Sequence, residues 1–381
     1  MTKTMLNPTI HILLVSAQAA PNMLPALDPA LKPKEAILLI TKKMAKKADA
    51  LAAVLTEAGV KVTRIEIPNE HNFDGLETLM LNVAATREGA DIALNVTGGT
   101  KLMALAAQSV AQAASWRIFY VDVDTDEVIW LGKEKKHEKL ATQLRLRPYL
   151  KGYGFQLTEG IMRPSAEPRH TQLIKTLIGQ VGSLETALGE LNFLAQTAKG
   201  APDLAARLTR EQQGSPGLES LLRNFADAKV LQVENNSIHF ATEPDRKFAN
   251  GEWLEHYVYQ TVEALQGELH VRDKAANLVV TSEDGVKNEL DVAFLAKNRL
   301  FIIECKTARM DGERAGKAND TLFKLAEIHR RVGGLGARGM LASYRQLADS
   351  EKALAKALNI TVVTGGELVR LDHKLKTWVT G

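Results

Sequence analysis

The sequence predicts an α/β protein with two different sheet domains joined by a helical segment. Three observations lead there: the first 131 residues alternate β-rich runs with helical stretches, residues 168–229 are helical, and from about 247 onward several strands follow one another before helices return. Regular alternation means a mostly parallel sheet with helices on both faces, a Rossmann-like layout. Adjacent strands mean a mixed sheet.

Composition limits the possibilities. The chain has 381 residues, enough for two or three domains. Apolar residues make up 45% and charged residues 24%, which excludes a disordered chain, a collagen-like repeat and a disulfide scaffold. The net charge is only +3, so any site for a polyanion must be a local cluster. Cys305 is the single cysteine, so no intrachain disulfide forms. No apolar run reaches the ~18 residues of a membrane helix, and the start carries no signal-peptide pattern. The expectation is a soluble, cytoplasmic protein with no membrane partner.

In the first part, strands are expected at 9–16, 36–41, 60–67, 91–97 and 117–123, with 127–131 as a hairpin partner. Helices are expected at 42–58, 74–88 and 101–114. Residues 132–151 hold seven Lys or Arg against two Glu and read as a solvated linker or a phosphate-facing stripe. Helical patterns at 168–229, followed by a hairpin at 230–241 with Asn235 and Asn236 in its turn, suggest a winged-helix-like arrangement. Without a basic recognition face, this segment is expected to be a structural connector. The last part reads as a helix at 251–266, strands at 268–272, 277–283, 288–296 and 300–306, a helix at 318–332, a strand at 338–343, a helix at 347–357 and a strand at 359–364.

The most informative stretch is NELDVAFLAKNRLFIIECK, residues 288–306. Lys297 and Asn298 form a natural two-residue turn, since Asn tolerates the positive φ such turns demand. Ala296 then faces Arg299, and five residues further along each strand Asp291 lies opposite Glu304. Alternation puts Lys306 on the face of Glu304 and turns Cys305 to the other face, as a packed apolar residue rather than a nucleophile. Opposed carboxylates repel unless a cation lies between them, and oxygen-preferring Mg²⁺ or Mn²⁺ suits that pair. The neighbouring lysine can orient water or stabilise charge on a phosphate. The competing interpretation is a solvent-facing edge hairpin with an Asp291, Glu304, Lys306 salt-bridge cluster. Glu255, with Glu252 one turn earlier, sits at the edge of the buried face of the preceding helix, marked by Leu254, Val258, Thr261 and Leu265.

Asp291-x₁₂-Glu304-Cys305-Lys306, with Glu255 on the preceding helix, resembles the PD-(D/E)XK, or restriction-endonuclease-like, nuclease core. The resemblance implies Asp291 and Glu304 as metal ligands, Lys306 as the catalytic lysine and Glu255 as the helix carboxylate. Glu289-Leu290 stands where the family usually has its proline.

A second motif lies in the first domain. Asn95-Val-Thr-Gly-Gly-Thr-Lys101 follows a strand and opens a helix, so the N–H groups of Gly98, Gly99 and Thr100 form an anion site that Thr97 and Lys101 extend. Its spacing fits neither Walker A nor the dinucleotide fingerprint; a tight turn needing glycine for its backbone alone is the alternative. Ser16, Ala17, Gln18 and Asn22 lie in a second loop, after the first strand. Both loops leave the carboxyl ends of strands, where open α/β sheets bind ligands, and Gln18 and Asn22 are amides able to read a base or ribose.

The loops VSAQAAPNMLPAL (15–27) and NVTGGTKLMALA (95–106) resemble the CARF domain, the cyclic-oligoadenylate sensor of type III CRISPR systems. Joined to a PD-(D/E)XK core, the chain resembles the ancillary CARF nucleases, and the Leu322-Phe-Lys-Leu325 helix ending in Gly333-Gly334 is similar to that subfamily as well. The resemblance implies a homodimer binding one cyclic tetra-adenylate at Ser16, Ala17, Gln18, Asn22 and 97–101, and a nuclease acting on DNA or RNA. The expected division is a sensing domain at 1–148, a connector at 149–245 and a nuclease domain at 246–381. A nucleotide-sensing regulator with a dead nuclease fold is the second reading, though an inactivated core should have lost one of the three hairpin groups. A ligand-degrading activity at Ser16, Thr97 and Lys101 ranks last, for want of a histidine or paired carboxylates there. His137 and His256 are assigned no role.

Overall fold

The computed structural model describes residues 8–132, 136–161, 167–307 and 316–381. Its first sheet contains β1 (Ile10–Leu14), β2 (Glu35–Thr41), β3 (Lys61–Ile67), β4 (Ile92–Asn95), β5 (Arg117–Asp122), β6 (Glu127–Leu131) and β7 (His137–Lys139). Their spatial order is β3-β2-β1-β4-β5-β6-β7. The first five are parallel, and β5, β6 and β7 pair antiparallel. The chain leaves β1 toward β2 and later returns to its other side as β4, so a switch point lies between them. The loops that follow β1 and β4 open beside it.

The first loop is shorter than expected. A helix, Ala20–Leu27, begins after Ala19, with Pro21 in its first turn, where a missing N–H costs nothing. Pro25 lies inside this helix and leaves the Pro21 carbonyl without its usual donor. The buried Asn95 amide fills that vacancy, its Nδ2 donating to Pro21 O at 2.9 Å.

The middle of the chain begins with β8 (Phe155–Ile161), which the sequence reading does not anticipate. Helices Pro168–Gly179, Glu185–Thr197 and Pro216–Asp227 follow. They pack against a small sheet of β9 (Ala205–Arg207), β10 (Leu231–Glu234) and β11 (Ser237–Phe240), ordered β10-β11-β9. The expected hairpin is present, with Asn235 and Asn236 both at positive φ (48° and 64°).

The second large sheet contains β12 (Val271–Ser282), β13 (Lys287–Ala296), β14 (Arg299–Lys306), β15 (Arg338–Ser343) and β16 (Ile360–Thr364). With β8 at its edge the order is β16-β15-β14-β13-β12-β8. β14, β15 and β16 run parallel and the other pairs antiparallel. The two strands expected at 268–272 and 277–283 are instead the single 12-residue strand β12, with a register shift between Val271 and Asp273. A terminal helix, Leu371–Thr380, was not foreseen.

Over its second half the basic run 132–151 is not a solvated linker; residues 133–135 lie outside the described residues. Leu140, Leu144, Leu146, Tyr149 and Leu150 are buried in one apolar cluster that also holds Leu13 and Leu38 of the first sheet and Leu295 and Ile302 of the second. Arg145 and Arg147 alternate outward from these apolar positions. Removing such contiguous apolar surface from water holds the two sheets together. A second cluster joins the helical segment to the opposite face of the second sheet, from Leu188 and Phe225 to Ile303 and Cys305. Among the described residues no helix is long and apolar enough to cross a membrane.

Candidate active site and ligand loops

The 288–306 hairpin has the expected register, from Ala296 opposite Arg299 to Val292 opposite Ile303. Lys297 and Asn298 both take positive φ (50° and 54°), as a two-residue turn requires. β13 and β14 are interior strands, so this is no solvent-facing edge hairpin. Asn298 has a further use. Its Oδ1 accepts Leu144 N–H at 2.8 Å, and its Nδ2 donates to Asp126 Oδ1 at 3.0 Å and Thr142 O at 2.9 Å. The hairpin tip is thereby fastened to the end of the first sheet.

At the other end of the hairpin, Asp291 and Glu304 are buried. Asp291 Oδ2 accepts the backbone N–H of Cys305 at 2.7 Å, taking a place in the ladder that a main-chain carbonyl would hold. Lys306 Nζ lies 2.6 Å from Glu304 Oε1 and 3.6 Å from Asp291 Oδ2. Burial, then the Glu304 charge, pushes Asp291 up to about 7. Glu255, in the first turn of the Trp253–Ala264 helix, is pushed up to about 9 by burial, then by Asp291 and Glu252. Burial pulls the Lys306 ammonium down, but Asp291 and Glu304 outweigh it and hold the group above its ordinary range. Cys305 is buried on the opposite face, its thiol raised chiefly by desolvation. All four expected residues of this site therefore converge.

Carboxylates forced together out of water hold protons unless a cation takes their place. Two hard oxygen donors, Asp291 and Glu304, suit Mg²⁺ or Mn²⁺, and the ammonium of Lys306 now occupies the position of positive charge between them. Among the described residues no group of three or more His, Cys, Asp or Glu is arranged as a ready metal cage.

The neighbourhood of Thr307 was missed from sequence. Asn192 Nδ2, on the Glu185–Thr197 helix, donates to Thr307 O at 3.1 Å and Thr307 Oγ1 at 3.2 Å. Gly251 meets Thr307 from the other side, at φ 131°, where an added Cβ would fall 2.2 Å from Thr307 Oγ1. It lies in a π-turn, Phe248–Glu252, the kind of bulge that recurs at functional sites. One signal was available: Asn192 is a lone amide among Leu188, Leu191 and Ala195 on a buried helix face.

The ligand loops divide into exposed groups and internal ties. Asn22 is buried: its Nδ2 donates to Leu14 O at 3.0 Å and its Oδ1 accepts Asn95 Nδ2 at 3.0 Å. Thr97 donates through Oγ1 to Asn95 Oδ1 and accepts Val121 N–H, both at 2.7 Å. These two expected ligand contacts are therefore turned inward, and Asn95, missed from sequence, is the hub that ties the loops together. Gly98 sits against the Leu14 carbonyl, where a Cβ would be only 2.1 Å away, and Gly99 takes φ 71°. Thr100 Oγ1 caps the Lys101–Ala113 helix by accepting Met103 N–H, and Lys101 is exposed at the first helical position. Ser16 and Gln18 form a small side-chain turn, with Gln18 N–H donating to Ser16 Oγ at 3.2 Å and Ala17 exposed between them.

Residues 10–149 match the family model described as the Card1 CARF domain, and residues 242–381 the model described as Card1-like, endonuclease domain. The chain belongs to the CARF-domain nucleases. Protein VC1899 from Vibrio cholerae is similar over 97% of this chain and 98% of its own, with 29% identity and a TM-score of 0.87. Can2 from Sulfobacillus thermosulfidooxidans, solved in complex with cyclic tetra-adenylate, is similar over 98% and 99%, with 25% identity and a TM-score of 0.83. A type III CRISPR defence DNA nuclease activated by cyclic oligoadenylate shares the fold alone, at 18% identity and a TM-score of 0.60, over 98% of this chain and 52% of its own. No curated protein matches the chain in sequence.

The CARF domain touches the endonuclease domain through Gln18, in the loop that follows β1. Gln18 Oε1 accepts Leu335 N–H at 3.0 Å, just past the Gly316–Gly333 helix. Gly334 takes φ 66° there, and a Cβ on it would fall 2.3 Å from Gln18 Oε1. Tyr149 Oη donates to Gly333 O at 2.9 Å. The glycine pair is where the CARF domain grips the end of that helix.

Proposed function

We propose that the chain is a metal-dependent endonuclease switched on when its CARF domain binds cyclic tetra-adenylate. The observation that carries the proposal is the buried Asp291 and Glu304 pair with the half-buried Lys306 ammonium against both carboxylates, and Glu255 lining the same cavity as Lys306. Asp291 and Glu304 would hold Mn²⁺ or Mg²⁺, which when bound would supply charge for the phosphate and a more acidic water. The chain's own groups do the rest. Lys306 donates to the non-bridging oxygen that gains charge, and Glu255 orients the water that attacks phosphorus.

The ligand resides, in this proposal, over Ser16, Ala17, Gly98, Gly99, Thr100 and Lys101, beside the switch point of the sheet, while the Gln18 side chain is held by Leu335 N–H. Asn22 and Thr97 shape that surface from beneath. The ligand seen on Can2 supports cyclic tetra-adenylate as activator. Exposed Leu102 and Leu105 on the Lys101–Ala113 helix and Leu81 on the neighbouring Phe73–Ala85 helix support a homodimer formed through the CARF domains.

The test is cleavage of single-stranded DNA, RNA and supercoiled plasmid with Mn²⁺ or Mg²⁺, with and without cyclic tetra-adenylate, alongside Glu304→Ala. Activator-dependent cutting absent from the variant is the expected result. Tight activator binding without cutting under any condition would point to a regulator with an inert nuclease fold.

A further inference from the structure

A cavity of ≈370 Å³ opens beside the carboxylate cluster. Glu255, Lys306 and Thr307 line it together with Gln196 and Lys199 of the helical segment and Lys247, at the end of the short Glu243–Lys247 helix that follows that segment. The segment expected to be a plain connector therefore supplies one wall of the catalytic cavity.

The two lysines stand differently from the arginine between them. Arg246 is buried and fully engaged: Nε and Nη2 each lie 2.7 Å from a Glu243 carboxylate oxygen, and Nη1 donates to Ala195 O at 2.8 Å. That last bond fixes the turn carrying Lys247 to the helix preceding Lys199. Asn192, on the same helix, is fastened to Thr307. Lys199 and Lys247 are thus exposed cations on a platform bonded to the catalytic strand from within. Among the described residues neither makes an ion pair.

The side facing them carries Glu252 and Glu255, with Asp291 and Glu304 behind, and an approaching polyanion meets repulsion there. Fixed positive charge on the cavity wall, beside that of Lys306, eases the entry of a strand. We propose that Lys199 and Lys247 bind the backbone phosphates flanking the scissile one, so that the helical segment, with the short helix after it, holds the substrate strand while the hairpin cuts it. This rests on the nuclease reading. The contacts are to phosphate, so they strengthen binding of any base sequence. Each lysine releases counterions on binding, and removing one lowers the slope of log affinity against log salt by about 1.

The test is fluorescence anisotropy of the full-length chain with cyclic tetra-adenylate and Ca²⁺, using fluorescein-labelled oligothymidine and oligouridine across a salt series. Lys199→Ala/Lys247→Ala is expected to bind the preferred probe roughly tenfold more weakly, with a salt slope lower by about 2. Lys199→Arg/Lys247→Arg should bind as the wild type does, and so should the charge-matched control Lys352→Ala/Lys356→Ala on the distant Asp349–Ala357 helix. In cleavage the alanine pair should raise KM and leave kcat unchanged. Wild-type affinity and slope in the alanine pair would overturn the phosphate wall while leaving the nuclease reading standing. A wild-type chain that binds neither probe and also leaves supercoiled plasmid unbound and uncut would overturn both.

Discussion

Gln18 and Leu335 are joined by a single hydrogen bond of 3.0 Å between the CARF loop after β1 and the turn that ends the Gly316–Gly333 helix. The two residues lie 317 positions apart in sequence, and Gly334 leaves just enough room for the Gln18 side chain. A ligand that draws the 16–18 loop toward itself must either break this bond or carry the helix end with it. Allosteric coupling needs such a contact, one whose strength differs between two states.

Gln18→Ala is therefore expected to separate sensing from cutting. Calorimetry should show cyclic tetra-adenylate affinity within about threefold of wild type, while activated cleavage falls about tenfold, a coupling loss of ~1.4 kcal/mol. Loss of affinity with full cleavage at saturating ligand would make Gln18 a ligand contact instead.

Lys101→Ala and Glu304→Ala should fail in opposite ways. The first removes an exposed ammonium at a helix start and should weaken activator binding about tenfold, with the hairpin cluster undisturbed. The second should abolish cleavage with activator affinity intact. A Lys101→Ala chain of unchanged affinity would move the anion site elsewhere.

Protonation of the carboxylate cluster links stability to pH. Asp291 moves from an ordinary 3.8 to about 7 on folding, so the folded chain binds the extra proton between those values. The stability it contributes is fully present below about pH 4 and is lost as pH rises through 7; Glu255 extends the loss toward 9. Thermal melts in EDTA should fall from pH 5 to pH 9, Asp291→Asn should flatten that fall, and Mn²⁺ should oppose it in the wild type. A melting temperature in EDTA that rises over this range would contradict the burial of these groups.

Asn298→Gly keeps the positive φ of the hairpin turn but removes three hydrogen bonds to the CARF side. A loss of about 1–3 kcal/mol is expected in urea unfolding. Hydrogen exchange should show it around Leu144 and Asp126, with the β13–β14 ladder still protected.

Gly251→Ala would place a methyl on Thr307 Oγ1. It should lower cleavage sharply with little change in activator affinity, and Thr307→Ala in the same chain should restore part of the lost rate. Equal activity in Gly251→Ala would show that the π-turn does not position Thr307.

The sequence by itself determined the elements whose causes are local. Period-two alternation and the Lys297-Asn298 turn specify the hairpin register, and with it the meeting of Asp291, Glu304 and Lys306, because neighbouring strands joined by two residues have little freedom to pair otherwise. Glycine and strand-to-helix punctuation marked the CARF loops for the same reason. Only the tertiary structure decided which polar groups are left for chemistry. Asn22 and Thr97 look like ligand contacts until Leu14, Asn95 and Val121 are seen to use them. The basic run 132–151 looks solvated until Leu144 and Tyr149 are found between two sheets. Asn192 reaches Thr307 across 115 positions, and no local pattern encodes a hydrogen bond whose partner arrives only when separate cores have packed together. A buried polar atom must find such a partner, and the folded chain alone shows which one it takes.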